Sequence, residues 1–93
     1  MDELAAVKDF IRSADIPDDA KHSALWCAGQ LPGLFEQLFA TYDSRFREEI
    51  LRLEGSLLKP FGKKGGGVAG EIRARLHALH VRLGFEGLGG QGR

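Results

Sequence analysis

The residues best suited to chemistry in this chain are cationic and lie towards its C-terminal end. Lys59, Lys63 and Lys64 surround a glycine run that includes Gly65 and Gly66, and a helical pattern carrying Arg73, Arg75 and Arg82 follows. Glycines let an anion approach the main chain, free amides at a helix start donate hydrogen bonds, and lysines supply charge, so the segment has the makings of a phosphate cradle. It is not the P-loop signature, which needs a lysine followed by serine or threonine after the second glycine and a strand before the loop. A solvated linker is the simpler account of such a run. With the apolar positions of the helix turned inward, Arg73, His77 and His80 line one flank and Arg75 and Arg82 the other, beside Glu71. Two basic rows around a buried stripe suit the phosphates of a nucleic-acid groove. No aromatic is interleaved among them, which disfavours stacking on single strands, and arginine's helix propensity and apolar stem explain the same residues without any ligand.

The other reactive groups point to less. His77 and His80, three apart on a helix, can share a metal with Cys27 or His22, but a structural zinc takes four ligands and no second paired motif accompanies them. They read as solvated, and no metal or cofactor is expected. Cys27 lies between Trp26 and Ala28 in the most apolar segment and reads as a packed thiol rather than a nucleophile. The acids of the first half show no paired arrangement for general acid and base work, so an enzyme is the class with least support.

These residues depend on helices for their placement. Leu31, Phe35, Leu38, Tyr42, Phe46, Ile50, Leu53 and Leu57 recur at steps of three and four, the repeat of one face of an α-helix. The simplest reading is one long amphipathic helix ended by Pro60, with Asp43–Arg47 and Glu48–Arg52 as ion pairs on its solvated side, where Glu54 also falls. Before it, Leu4, Val7, Phe10, Ile11 and Ala14 mark a first helix over 2–14. Pro17, suited to the first position of a second helix, is followed by Asp18 and Asp19, which complement its N-terminal dipole. The second helix carries Ala24 to Ala28, apolar all round, and Gly29, Pro32 and Gly33 then break or kink the chain. A fourth helix from Val68 presents Ile72, Leu76, Leu79 and Leu83, with Gly84 placed to cap it.

The expected fold is all-α: a four-helix bundle or compact helical array with one long central helix and a Gly-rich loop before the last helix. Its core is expected around Trp26, Leu34, Phe35, Leu38, Tyr42 and Leu76. Residues 1–86 are expected to form a single helical domain with a flexible loop at 61–67, and 87–93 a disordered tail. At 93 residues the chain has room for one core, and a single cysteine excludes an intramolecular disulfide. The acidic start lacks the character of a signal peptide and no run approaches a bilayer span, so a cytoplasmic location and no membrane partner are expected. Thirteen bases balance thirteen acids overall. Residues 1–54 nevertheless hold eleven acids against six bases, and 55–93 seven bases against two acids.

A helix of that length exceeds what the two short helices before it can cover. The expected function is therefore a non-enzymatic protein-interaction module, completed by a protein partner or by a second copy as a homodimer, through Phe35, Phe39, Tyr42, Phe46, Leu51 and Leu58. The alternative is a nucleic-acid or phosphate-binding accessory protein using Lys59, Lys63, Lys64, Gly65, Gly66, Arg73, Arg75 and Arg82.

Overall fold

The apolar stripe does not build one rod. In the computed structural model, which describes residues 2–61 and 67–85, it is divided between two helices that fold against each other. The elements are α1 (Asp2–Ser13), α2 (Asp18–Thr41), α3 (Ser44–Leu58), a single 3-10 turn over Lys59–Phe61, and α4 (Val68–Leu83). No strand occurs among the described residues, so the all-α class holds. The glycine run at 62–66 and the tail from 86 onward lie outside the described residues.

Two boundaries depart from expectation, each for a local reason. Helix α2 runs unbroken through Gly29, Pro32 and Gly33, because Leu31, Phe35 and Leu38 on its inner face are fully buried and their packing outweighs poor intrinsic propensity. The break falls instead at Tyr42 and Asp43. Tyr42 adopts left-handed geometry with φ of 56°, and its N–H donates to the Leu38 carbonyl at 2.7 Å. Asp43 then caps α3, its carboxylate accepting the Arg45 N–H at 2.9 Å, a side-chain cap of the usual N-terminal kind. Thr41 Oγ1 accepts the Asp43 N–H at 3.2 Å and donates to the Gln37 carbonyl at 2.8 Å, which ties the corner to the end of α2.

Ion pairs form here at spacings of two and three residues. Asp43 is gripped by Arg45, whose Nη2 lies 2.7 Å from Oδ2, and Arg52 pairs with Glu49 instead of Glu48. At the other end of α2, Pro17 occupies the N-cap rather than the first helical position, and its carbonyl accepts the Lys21 N–H at 3.0 Å.

Helix α2 packs mainly on α3 and α1 mainly on α4, with α1 also crossing α2. Val7 and Ile11 of α1, Leu31, Phe35 and Leu38 of α2, Ile50 and Leu57 of α3, and Ile72 and Leu79 of α4 lose all contact with solvent in one shared core. Fully burying a side chain of this size contributes roughly 1.5 to 3 kcal/mol before entropy is counted. Lys21 Nζ donates to the Arg12 carbonyl at 2.8 Å, fastening the start of α2 to the end of α1. Trp26 and Tyr42, expected in the core, are 59% and 66% exposed, and Leu34 is half-buried. Ala24, Cys27, Ala28 and Leu31 take the inner face of α2, and a residue at position 26 of that helix must then point outward.

Candidate functional site

Among the described residues, two of the candidate cations are drawn to acidic partners of their own. Arg82 is drawn to the start of α1, where its Nε and Nη2 donate to the two Glu3 carboxylate oxygens at 2.6 and 2.8 Å. That bidentate contact holds the Glu3 carboxyl down at about 2, well under its ordinary 4.5. Arg75 lies 3.9 Å from Glu71, and its guanidinium sits 5.6 Å from the centre of the Phe10 ring. Lys59 and Arg73 are exposed and take part in no ion pair among the described residues. Lys63, Lys64, Gly65 and Gly66 lie outside the described residues. A cleft of about 290 Å³ opens beside the start of α4, lined by Ala14, Asp15, Ile16, Pro60, Phe61 and the first residues of α4; its charged group is a carboxylate.

The expected interface residues separate as well. Phe35 is fully buried, with its ring centre 6.1 Å from Phe39 and 5.5 Å, edge-on, from Phe85, so it is unavailable to a partner while the fold persists. Phe39, Phe46 and Leu58 are half-buried against the same core, and Tyr42 and Leu51 are exposed. Because α2 and α3 cover each other's apolar faces, the surplus apolar length that called for a partner along a single helix is largely consumed inside the fold.

The most chemically distinctive contact was hidden in residues that read as solvated. His80 Nε2 and Glu54 Oε2 lie 2.7 Å apart, with side chains only 10% and 9% exposed. Helix α3 supplies Glu54 from the inner face that includes Ile50, Leu53 and Leu57, and α4 supplies His80 one residue beyond Leu79. The imidazole lies 4.5 Å from the Phe85 ring centre and 6.2 Å from that of Phe35, while the Arg47 guanidinium covers Phe85 at 5.2 Å. A carboxylate and an imidazole in hydrogen-bond contact form an acid–base pair in principle. Neither cleft described in this section is lined by Glu54 or His80, and their position between α3 and α4 makes them a polar tie across the core.

Cys27 is buried, and burial pushes its thiol above the ordinary range, the reverse of what a nucleophile needs. Among the described residues no three His, Cys, Asp or Glu side chains are grouped as metal ligands. No helix among them is long and apolar enough to cross a membrane.

The outer face of α2 is the remaining feature of note. Trp26, Gly29 and Gly33 share that face at the helical repeat, all three exposed, and no atom of a neighbouring element lies within 4 Å of where a Cβ would stand on either glycine. Next to the indole an open cleft of about 540 Å³ is lined by Asp18, Asp19, His22, Ser23 and Trp26. The composition numbers gave no sign of it, though the spacing of Trp26 against Ala24, Cys27, Ala28 and Leu31 did. Comparison with protein-family models, with curated proteins and with solved structures returned no match to this chain.

Proposed function

We propose that this protein is a non-enzymatic interaction module that engages a protein partner through the outer face of α2. The observation that carries the reading is Trp26, whose indole is 59% exposed beside bare helix backbone at Gly29 and Gly33. Tryptophan is among the residues that concentrate binding energy at interfaces, and glycines at this spacing let a second helix approach closely. The reading replaces the apolar stripe along residues 31–58 with a surface that the fold leaves uncovered.

The nucleic-acid or phosphate alternative draws on fewer groups than its sequence pattern offered. Arg82 and Arg75 are engaged by Glu3 and Glu71, which leaves Lys59 and Arg73 as its described cations without an ion pair among the described residues.

A photo-cross-linking side chain placed at exposed Gln30, next to Trp26 and Gly29, tests the interaction reading in cells expressing the protein. Adducts of defined mass are expected from position 30, absent from the exposed α3 position Glu48, and lost when Trp26→Ala is added. Equal labelling from positions 30 and 48, or none from 30, overturns it.

A further inference from the structure

Resting on that reading of α2, we infer that the partner of this face is a basic helical segment, whose arginine or lysine head group seats on the Trp26 indole between Asp18 and Asp19. The charge along the helix argues for it. Asp18, Asp19 and Glu36 are exposed on α2, which contains no arginine and a single lysine. That lysine, Lys21, is half-buried and spends its ammonium group on the Arg12 carbonyl at 2.8 Å. The face therefore presents three carboxylates against Lys21 and the imidazole of His22, whereas α4 carries Arg73, Arg75 and Arg82 against Glu71 alone.

The cleft offers a cationic side chain both an aromatic face and negative charge. An indole supplies a π face for a guanidinium or ammonium group, and two carboxylates from the first turn of α2 flank it. An acidic peptide would meet only like charge here, and a purely apolar one would leave both aspartates to be desolvated without partners. Gly29 and Gly33 lie one and two turns further along, where the body of an incoming helix would pass.

Trp26 is the only tryptophan, so its fluorescence reports this site alone. The test titrates the full chain with a helical peptide bearing arginines at every fourth position, and with a matched peptide carrying glutamates, at low and at moderate salt. A saturable change in Trp26 emission is expected with the arginine peptide only, weakened about tenfold in affinity by Asp18→Asn with Asp19→Asn, and weakened by salt as exposed charge pairs are. The asparagine variant preserves side-chain size, and its circular dichroism confirms that it is folded. No change at low salt, an equal change with the glutamate peptide, or undiminished binding by the variant overturns the basic-partner inference. A change in emission on dilution of the protein alone also overturns it, assigning the face to a second copy. Cross-links from position 30 that persist when the arginine peptide fails leave the interaction reading standing while this inference falls; loss of both removes the two together.

Discussion

His80 Nε2 and Glu54 Oε2 meet 2.7 Å apart between α4 and α3, two helices that otherwise make little direct backbone contact. A buried ionisable pair of this kind contributes little net stability compared with apolar residues of the same shape. Removing one member strands the other, which costs about 3 to 5 kcal/mol. Glu54→Ala is therefore expected to lower the urea midpoint by an amount of that order. Glu54→Leu combined with His80→Phe is expected to recover most of the loss, and a double-mutant cycle checks it. A loss in the double replacement equal to the sum of the losses of Glu54→Leu alone and His80→Phe alone would show that the pair is not coupled.

The left-handed corner at Tyr42 carries a strain that its exposed ring does not offset by packing. Tyr42→Gly is expected to stabilise the fold by roughly 0.5 to 1 kcal/mol, because glycine reaches φ of 56° without steric penalty but loses more entropy on folding. At the end of α4 the opposite holds. Gly84 has φ of +70° and open space where a Cβ would stand, so Gly84→Ala is expected to cost about 1 kcal/mol through the backbone alone. Thermal unfolding of the two variants gives both signs.

Acid should act on the Glu3–Arg82 contact within a defined window. The Glu3 carboxyl sits at about 2 in the folded chain against 4.5 without its partner. Its contribution is thus fully present above about 4.5 and is lost as pH falls through about 2. The stability difference between the native chain and Glu3→Gln is expected to be constant from neutral pH down to about 4.5 and to shrink towards pH 2. A difference unchanged at pH 2.5 would contradict the assignment, as would a Glu3 carboxyl carbon that titrates at its ordinary pH.

Cys27 offers a probe of opening. Buried, and with its thiol raised by that burial, it is expected to react with iodoacetamide at least about tenfold more slowly in the native chain than in denaturant, at the same pH. The native rate should rise in Glu54→Ala, whose folded state opens more often. A native rate equal to the denatured one would mean that position 27 is exposed in solution.

Helix α1 and helix α4 were legible because Leu4, Val7 and Ile11, and Ile72, Leu76 and Leu79, repeat at helical spacing and are buried as that spacing predicts. The corner at Tyr42 was concealed by phase. Leu38, Tyr42, Phe46 and Ile50 keep steps of four across it, although the pair of cap-forming residues Asp43 and Ser44 signalled a helix start within the stripe. Glu54 read as solvated because of its charge, yet its spacing from Ile50, Leu53 and Leu57 places it on the buried face. Trp26 failed in the opposite direction, since hydrophobic character suggested the core and only the positions around it set its direction. The bond from Lys21 to the Arg12 carbonyl, which fastens α2 to α1, is not revealed by spacing.

The contact between Glu3 and Arg82 spans 79 positions of sequence and brings the first and last helices side by side. Closing so large a loop costs more chain entropy than forming the α2–α3 hairpin, whose members are separated by a two-residue corner. The hairpin is thus positioned to form early and the clasp of the ends late. The same proximity suits the molecule to rewiring: with the start of α1 and the end of α4 joined by a short linker and the backbone opened at the Tyr42–Asp43 corner, the described helices would keep their neighbours while the order of their synthesis changed.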